Sequence, residues 1–170
     1  MTLATRLFAS ISLLVTAAVA GSILAADLAL RRHLEAGFAA ALEREARLVA
    51  GLTPSDSARW PAFARETGRR LGHRVTLIDA VGRVRGDTEF DRLALAGLEN
   101  HATRPEVRSA LSGTVGRDTR LSASTNERQL YVAVAAEATT EGERLAVVRV
   151  ATSLAAVDAA VHTVQRAVAG

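Results

Sequence analysis

Residues 99–107, Glu99-Asn100-His101-Ala102-Thr103-Arg104-Pro105-Glu106-Val107, hold the densest group of chemically capable side chains in this sequence. The amide of Asn100, the imidazole of His101 and the guanidinium of Arg104 can together hold a polar ligand. The same residues also suit a plainer role, a polar lead into a helix with Asn100 and His101 bonding the local backbone. Further on, Arg149 interrupts the apolar run Ala146-Val147-Val148-Arg149-Val150. A charge placed there needs a partner, water or a ligand anion. Strand alternation puts Arg149 on one face with Leu145 and Val147, a face that Tyr131 on a neighbouring strand can share. Arg120 is the other basic side chain inside a predicted strand, and solvent exposure is expected for it. The candidate ligand-binding residues are thus Asn100, His101, Arg104, Arg120, Tyr131 and Arg149.

Catalytic patterns are not found. His33, His73, His101 and His162 stand far apart and lack metal-ligand spacing, so no metal site is expected. The absence of Cys removes disulfides, thiolate zinc sites and a thiol nucleophile. There is no P-loop, GxGxxG or nucleophile motif, and no carboxylate pair is spaced for acid–base work. The residues therefore predict no enzyme and no cofactor. All 21 basic residues are Arg, yet the formal net charge is only +3. Nucleic-acid binding would want a clustered basic face with stacking rings. Arg31–Arg32 and Arg69–Arg70 are the densest runs and aromatics are 4% of the chain, so no nucleic-acid partner is expected.

These residues must be positioned by the elements around them. The uncharged stretch Leu7–Ala26 would span roughly 30 Å as a helix, the thickness of a bilayer core. Arg6 and Ala18-Val19-Ala20 also permit a cleaved signal, but the helical pattern runs on through Leu34, Phe38, Leu42, Val49 and Leu52, which favours an uncleaved anchor. Gly51 and Pro54 end that helix. A second helix is predicted over roughly 58–71, capped from Ser55–Ser57, with Trp60, Phe63, Ala64 and Leu71 inward and Gly72 as its C′ residue. Arg74–Asp79, Gly82 and Val84 read as a hairpin. Residues 88–100 carry weak signals for a loop with some helix. A helix then starts at Pro105, either through a Thr103–Glu106 capping box or with Arg104 itself as the cap. Strands follow at about 115–122, 129–136 and 144–152, joined by links short enough for antiparallel pairing. Leu154, Val157, Val161, Val164 and Val168 then step as an a/d seam on a closing helix.

This order resembles the extracytoplasmic PAS-like (PDC or Cache) sensor domain, and more closely the N-terminal part of phosphate-regulon-type sensor histidine kinases. The resemblance rests on Arg74–Asp79, Glu99–Val107, Arg120-Leu121-Ser122, Leu130–Val134 and Val147–Ala151 leading to Leu154. It departs at Val81, where such turns carry a polar residue, and at Ala135, where a proline often closes the strand. The expected fold is α+β: a transmembrane helix over 7–30, then a sensor domain over 31–158 with a central antiparallel sheet of about five strands, then an exit helix over 153–170.

The resemblance implies an extracytoplasmic signal-sensing input domain in the cytoplasmic (inner) membrane. Residues 31–170 would lie outside, although the basic residues after the span would by a simple count face the cytoplasm. It implies a homodimer that pairs through the seam and responds to an unknown small ligand or a periplasmic partner protein. A second span and a kinase core beyond Gly170 would act on a response regulator. The alternatives are an interaction module without a small-molecule site, the input domain of a chemoreceptor, or a secreted protein.

Overall fold

The computed structural model describes residues 3–122, 126–136, 145–155 and 159. The chain divides into two compact units, one running from its start to Ala36 and the other Gly37–Ala156. The first helix, α1, is Leu3–Leu52. Its N-terminal part exposes Leu7, Phe8, Ile11, Leu13 and Leu14 and is long and apolar enough to cross a membrane, by length and composition.

In the second unit the buried stripe of α1 is Ala39, Leu42, Ala46 and Val49. These step by three and four and so fall on one side of a helix. Phe38 and Leu52, which continue the helical spacing, are exposed. A single 3₁₀ turn, Ser57–Arg59, follows; Asp56 caps it by accepting from the Ala58 amide at 2.9 Å. Helix α2, Trp60–Leu71, begins with Pro61 in its first turn and ends on Gly72 at φ 70°. Trp60 and Ala64 are buried as predicted, Phe63 is partly buried, and Leu71 is 36% exposed.

Five strands form one antiparallel sheet: β1 Arg74–Asp79, β2 Val84–Asp87, β3 Gly116–Leu121, β4 Arg128–Ala135 and β5 Leu145–Ser153. Their spatial order is β2-β1-β5-β4-β3. Two short helices lie between β2 and β3: α3, Arg92–Leu95, capped by Asp91, and α4, Pro105–Leu111. Arg104 is the extended residue before α4 and Pro105 its first helical residue, so the Thr103–Glu106 capping box is not formed.

Register assigns the two faces. Arg117, Val132, Val150 and Val75 are cross-strand partners and share one side. Arg117 bonds Glu43 of α1 at 2.9 Å, so α1 lies on that side. Gly86, opposite Leu77, packs against Trp60 and Ala64, which brings α2 to the same side. The other side carries Ile78, Ala133 and Val147, which cluster with Val107 and Ala110 of α4. The seam residues Val157, Val161, Val164 and Val168 lie outside the described residues; Leu154 is fully buried, its amide bonded to the Arg128 carbonyl at 2.8 Å.

Candidate functional site

Beneath α4 the sheet carries a row of polar side chains. Arg149 of β5 stands opposite Ala133 of β4 and Thr76 of β1, and Thr76 stands opposite Asp87 of β2. Cross-strand partners point to the same side of a sheet, so one register places these groups side by side. The Arg149 Nη2 donates to Thr76 Oγ1 at 3.1 Å, and Thr76 Oγ1 donates to Asp87 Oδ2 at 2.8 Å. Arg74 closes that end of the row, its Nε donating to Asp87 at 3.1 Å and its Nη1 pairing with Glu89 at 2.7 Å.

The centre of the row is Glu106, and it is fully buried. Arg120 donates to both of its oxygens at 2.9 Å, a fork-to-fork pair, and Arg149 Nη1 donates to Oε1 at 3.3 Å. Arg120 also bonds Asp118 and stacks over the Tyr131 ring, 3.8 Å from its centroid. Arg149 lies 5.2 Å from the same centroid. Tyr131 thus offers its ring to both cations.

Burial is the largest influence on Glu106 and pushes its carboxyl upward, but the Arg120 hydrogen bonds and the Arg149 charge outweigh it and hold the pKa below the ordinary carboxylate value. Burial lowers the pKa of Arg149, while the charge of Glu106 opposes the shift. A guanidinium starts so far above neutrality that it stays charged. One of its donors is poorly served: the buried Nε of Arg149 has no hydrogen-bond acceptor among the described residues. A buried donor left in this way costs about 1–3 kcal/mol.

Helix α4 reaches the row because β3 lets it approach. A Cβ at Gly116 would overlap the carbonyl of Glu106, so only glycine permits that contact. The loop before α4 is fixed to the β1–β2 turn. His101 donates its backbone N–H to the Gly82 carbonyl at 2.8 Å, and Asn100 Nδ2 donates to the Val81 carbonyl at 2.8 Å. Gly82, at φ 84°, accommodates the turn.

The predicted residues therefore separate into two groups. Arg120, Tyr131 and Arg149 meet in the row, and the solvent exposure expected of Arg120 gives way to a buried carboxylate partner. Asn100 serves the local backbone, accepting from the Ala102 amide at 2.8 Å. Arg104 is part-exposed and pairs with Glu99 at 3.2 Å. His101 is buried, and its Nδ1 donates to the Glu99 carbonyl at 2.8 Å. Burial first, and then the Arg149 charge, lower its pKa from 6.5 to about 4, so it is neutral at physiological pH. The sequence reading missed Glu106 as the central group, and it missed Thr76 and Asp87. A Glu in the first turn of a helix, within two strands' reach of inward arginines, was the available signal.

No family model and no curated protein sequence matches this chain. Solved structures do resemble it. The sensor domain of Escherichia coli DcuS superposes with a TM-score of 0.54 at 16% identity, over 73% of this chain and 94% of that one. The fold is that of PDC/Cache sensor domains. The ligand-binding domain of the Pseudomonas aeruginosa PAO1 amino acid chemoreceptor PctC, solved with GABA, gives 0.57 at 18% identity, over 86% and 67% of the two chains. The Campylobacter jejuni chemoreceptor Tlp3 ligand-binding domain, solved with 4-methylisoleucine, gives 0.52 at 11% identity, over 78% and 56%. At these identities the likeness carries the fold.

Proposed function

We propose that this chain is the membrane-anchored, extracytoplasmic sensing input of a signalling receptor, in the first place a sensor histidine kinase of the phosphate-regulon type. The observation that carries the reading is the Glu106 row, an incompletely satisfied ion cluster placed between the sheet and a seven-residue helix. An incoming anion that takes the Arg149 and Arg120 donors releases Glu106. Since α4 is fastened to the sheet by Glu106, Val107 and Ala110, its release is a conformational change driven by differential affinity. In this reading the helices on the opposite face carry the shift to the membrane, two copies pair through the closing seam, and the kinase core follows in the parent protein. The domain spans 31–158 and its span 7–30 crosses the cytoplasmic membrane.

The test is a thermal-shift screen of the whole chain in non-ionic detergent against small mono- and dicarboxylates and amino acids. A ligand at a hundred times its Kd adds about 2.7 kcal/mol of stability. A rise that disappears in Arg149→Met supports the reading; a rise retained in full by that variant contradicts it. One observation favours a second reading, an interaction module without a small-molecule site: Glu106 already compensates both arginines from within. That reading predicts no response to any small anion and binding of a partner protein on the exterior.

A further inference from the structure

A charged hollow lies away from the Glu106 row, at the β2 edge of the sheet. Its volume is about 580 Å³. The start of α2, strand β2 and helix α3 border this open hollow, with Arg83, Arg85 and Arg92 among its lining and Pro61, Leu95 and Leu98 as apolar wall. No Asp or Glu among the described residues lines it.

The acids nearby in sequence already have partners, and of these only Asp79 is paired with an arginine of the hollow. Asp79 Oδ1 accepts the backbone amides of Val81 and Arg83 at 3.0 and 2.9 Å, and its Oδ2 pairs with Arg85 Nε at 3.3 Å. Asp91 caps α3 by accepting from the Leu93 and Ala94 amides. Glu89 is paired with Arg74, and Glu99 with Arg104. Arg83 and Arg92 are both exposed, and neither forms an ion pair among the described residues. Arg83 and Arg92 thus bring two guanidinia without an ion pair among the described residues to one hollow, beside the partnered Arg85 and apolar carbon. Guanidinium forks match carboxylate geometry, and an apolar wall rewards a ligand with carbon to bury.

We propose that this edge hollow binds an organic di- or tricarboxylate, with Arg83 and Arg92 clamping its charged groups and Pro61, Leu95 and Leu98 receiving its carbon frame. Arg85 adds field from within the hollow while Asp79 holds it in place. The site is separate from the Glu106 row and does not depend on the sensing mechanism assigned to that row.

Phthalate, benzoate and sulfate titrated calorimetrically into the whole chain in non-ionic detergent test this. Phthalate combines two negative charges with an apolar ring; benzoate keeps the ring with a single carboxylate, and sulfate keeps the double charge without carbon. The expected result is saturable phthalate binding, at least about tenfold tighter than benzoate or sulfate. Arg83→Gln and Arg92→Gln should each weaken phthalate by about tenfold, and Arg149→Met should leave it unchanged. Both edge substitutions are at exposed positions, and an unchanged circular dichroism spectrum verifies their folding. Absence of phthalate binding, equal binding of sulfate, or full affinity in the folded Arg83→Gln/Arg92→Gln protein would each overturn the proposal. Loss of binding in Arg149→Met alone would assign the ligand to the other face and overturn it too.

Discussion

On the side of the sheet that α1 and α2 cover, Val75, Leu77, Val132, Val134, Val148 and Val150 are buried, and among the described residues the charges stand at the margin, as in the Arg117–Glu43 pair. On the side beneath α4, Arg149, Glu106, Asp87 and Thr76 are as deeply buried as those valines. The first side holds together by apolar area, which is non-directional and tolerant. The second depends on each donor meeting its acceptor, because a buried charge without a partner is costly. The first face is thus held by apolar area, and the second adds a chemically specific, breakable contact to its apolar cluster. The sensing role proposed above would use both, a rigid support and an element whose position a ligand can change.

The contrast can be broken most sharply at Glu106. Glu106→Ala leaves Arg149 buried without its carboxylate and should cost about 3–5 kcal/mol in denaturant unfolding. Adding Arg149→Met should recover a large part of that loss, since the double variant no longer buries an unpaired charge. On the apolar side, Leu42→Ala should cost about 2–5 kcal/mol, with no dependence on pH or salt.

Acid sharpens the comparison further. His101 has a folded pKa of about 4 against 6.5, so the unfolded chain takes up the proton first as pH falls. Stability is therefore lost between pH 6.5 and 4, by about 3 kcal/mol for this group. His101→Gln should flatten that part of the stability–pH curve relative to the parent. Glu106, also depressed, adds its loss only below the ordinary carboxylate range. The smallest effect belongs to the margin of the apolar side. Arg117→Gln removes an ion pair from a half-exposed arginine and should change stability by less than about 1 kcal/mol.

The sequence carried the frame of this molecule because its elements announce themselves locally. The period of two in Leu130–Val134, the αL glycine at position 72 and Pro105 after an extended Arg104 each have a local physical cause. Arg149 was legible as a problem, a charge in an apolar strand, and Tyr131 as its neighbour. The solution was not legible, because Glu106 lies 43 positions away and reaches Arg149 only through the packing of α4 on the sheet. Glu106 also fitted a capping box with Thr103, a local motif that explained it without any distant partner. The edge hollow was equally hidden, since α2, β2 and α3 contribute to it from separate parts of the chain.

Hydrogen exchange of the whole chain in detergent, comparing the parent with Glu106→Gln, tests most directly whether the carboxylate fastens α4 to the sheet. The account predicts faster exchange for the amides of Val107–Leu111, with those of Leu42–Val49 on α1 unchanged. Unaltered protection of α4, or an equal rise on both faces, would contradict it.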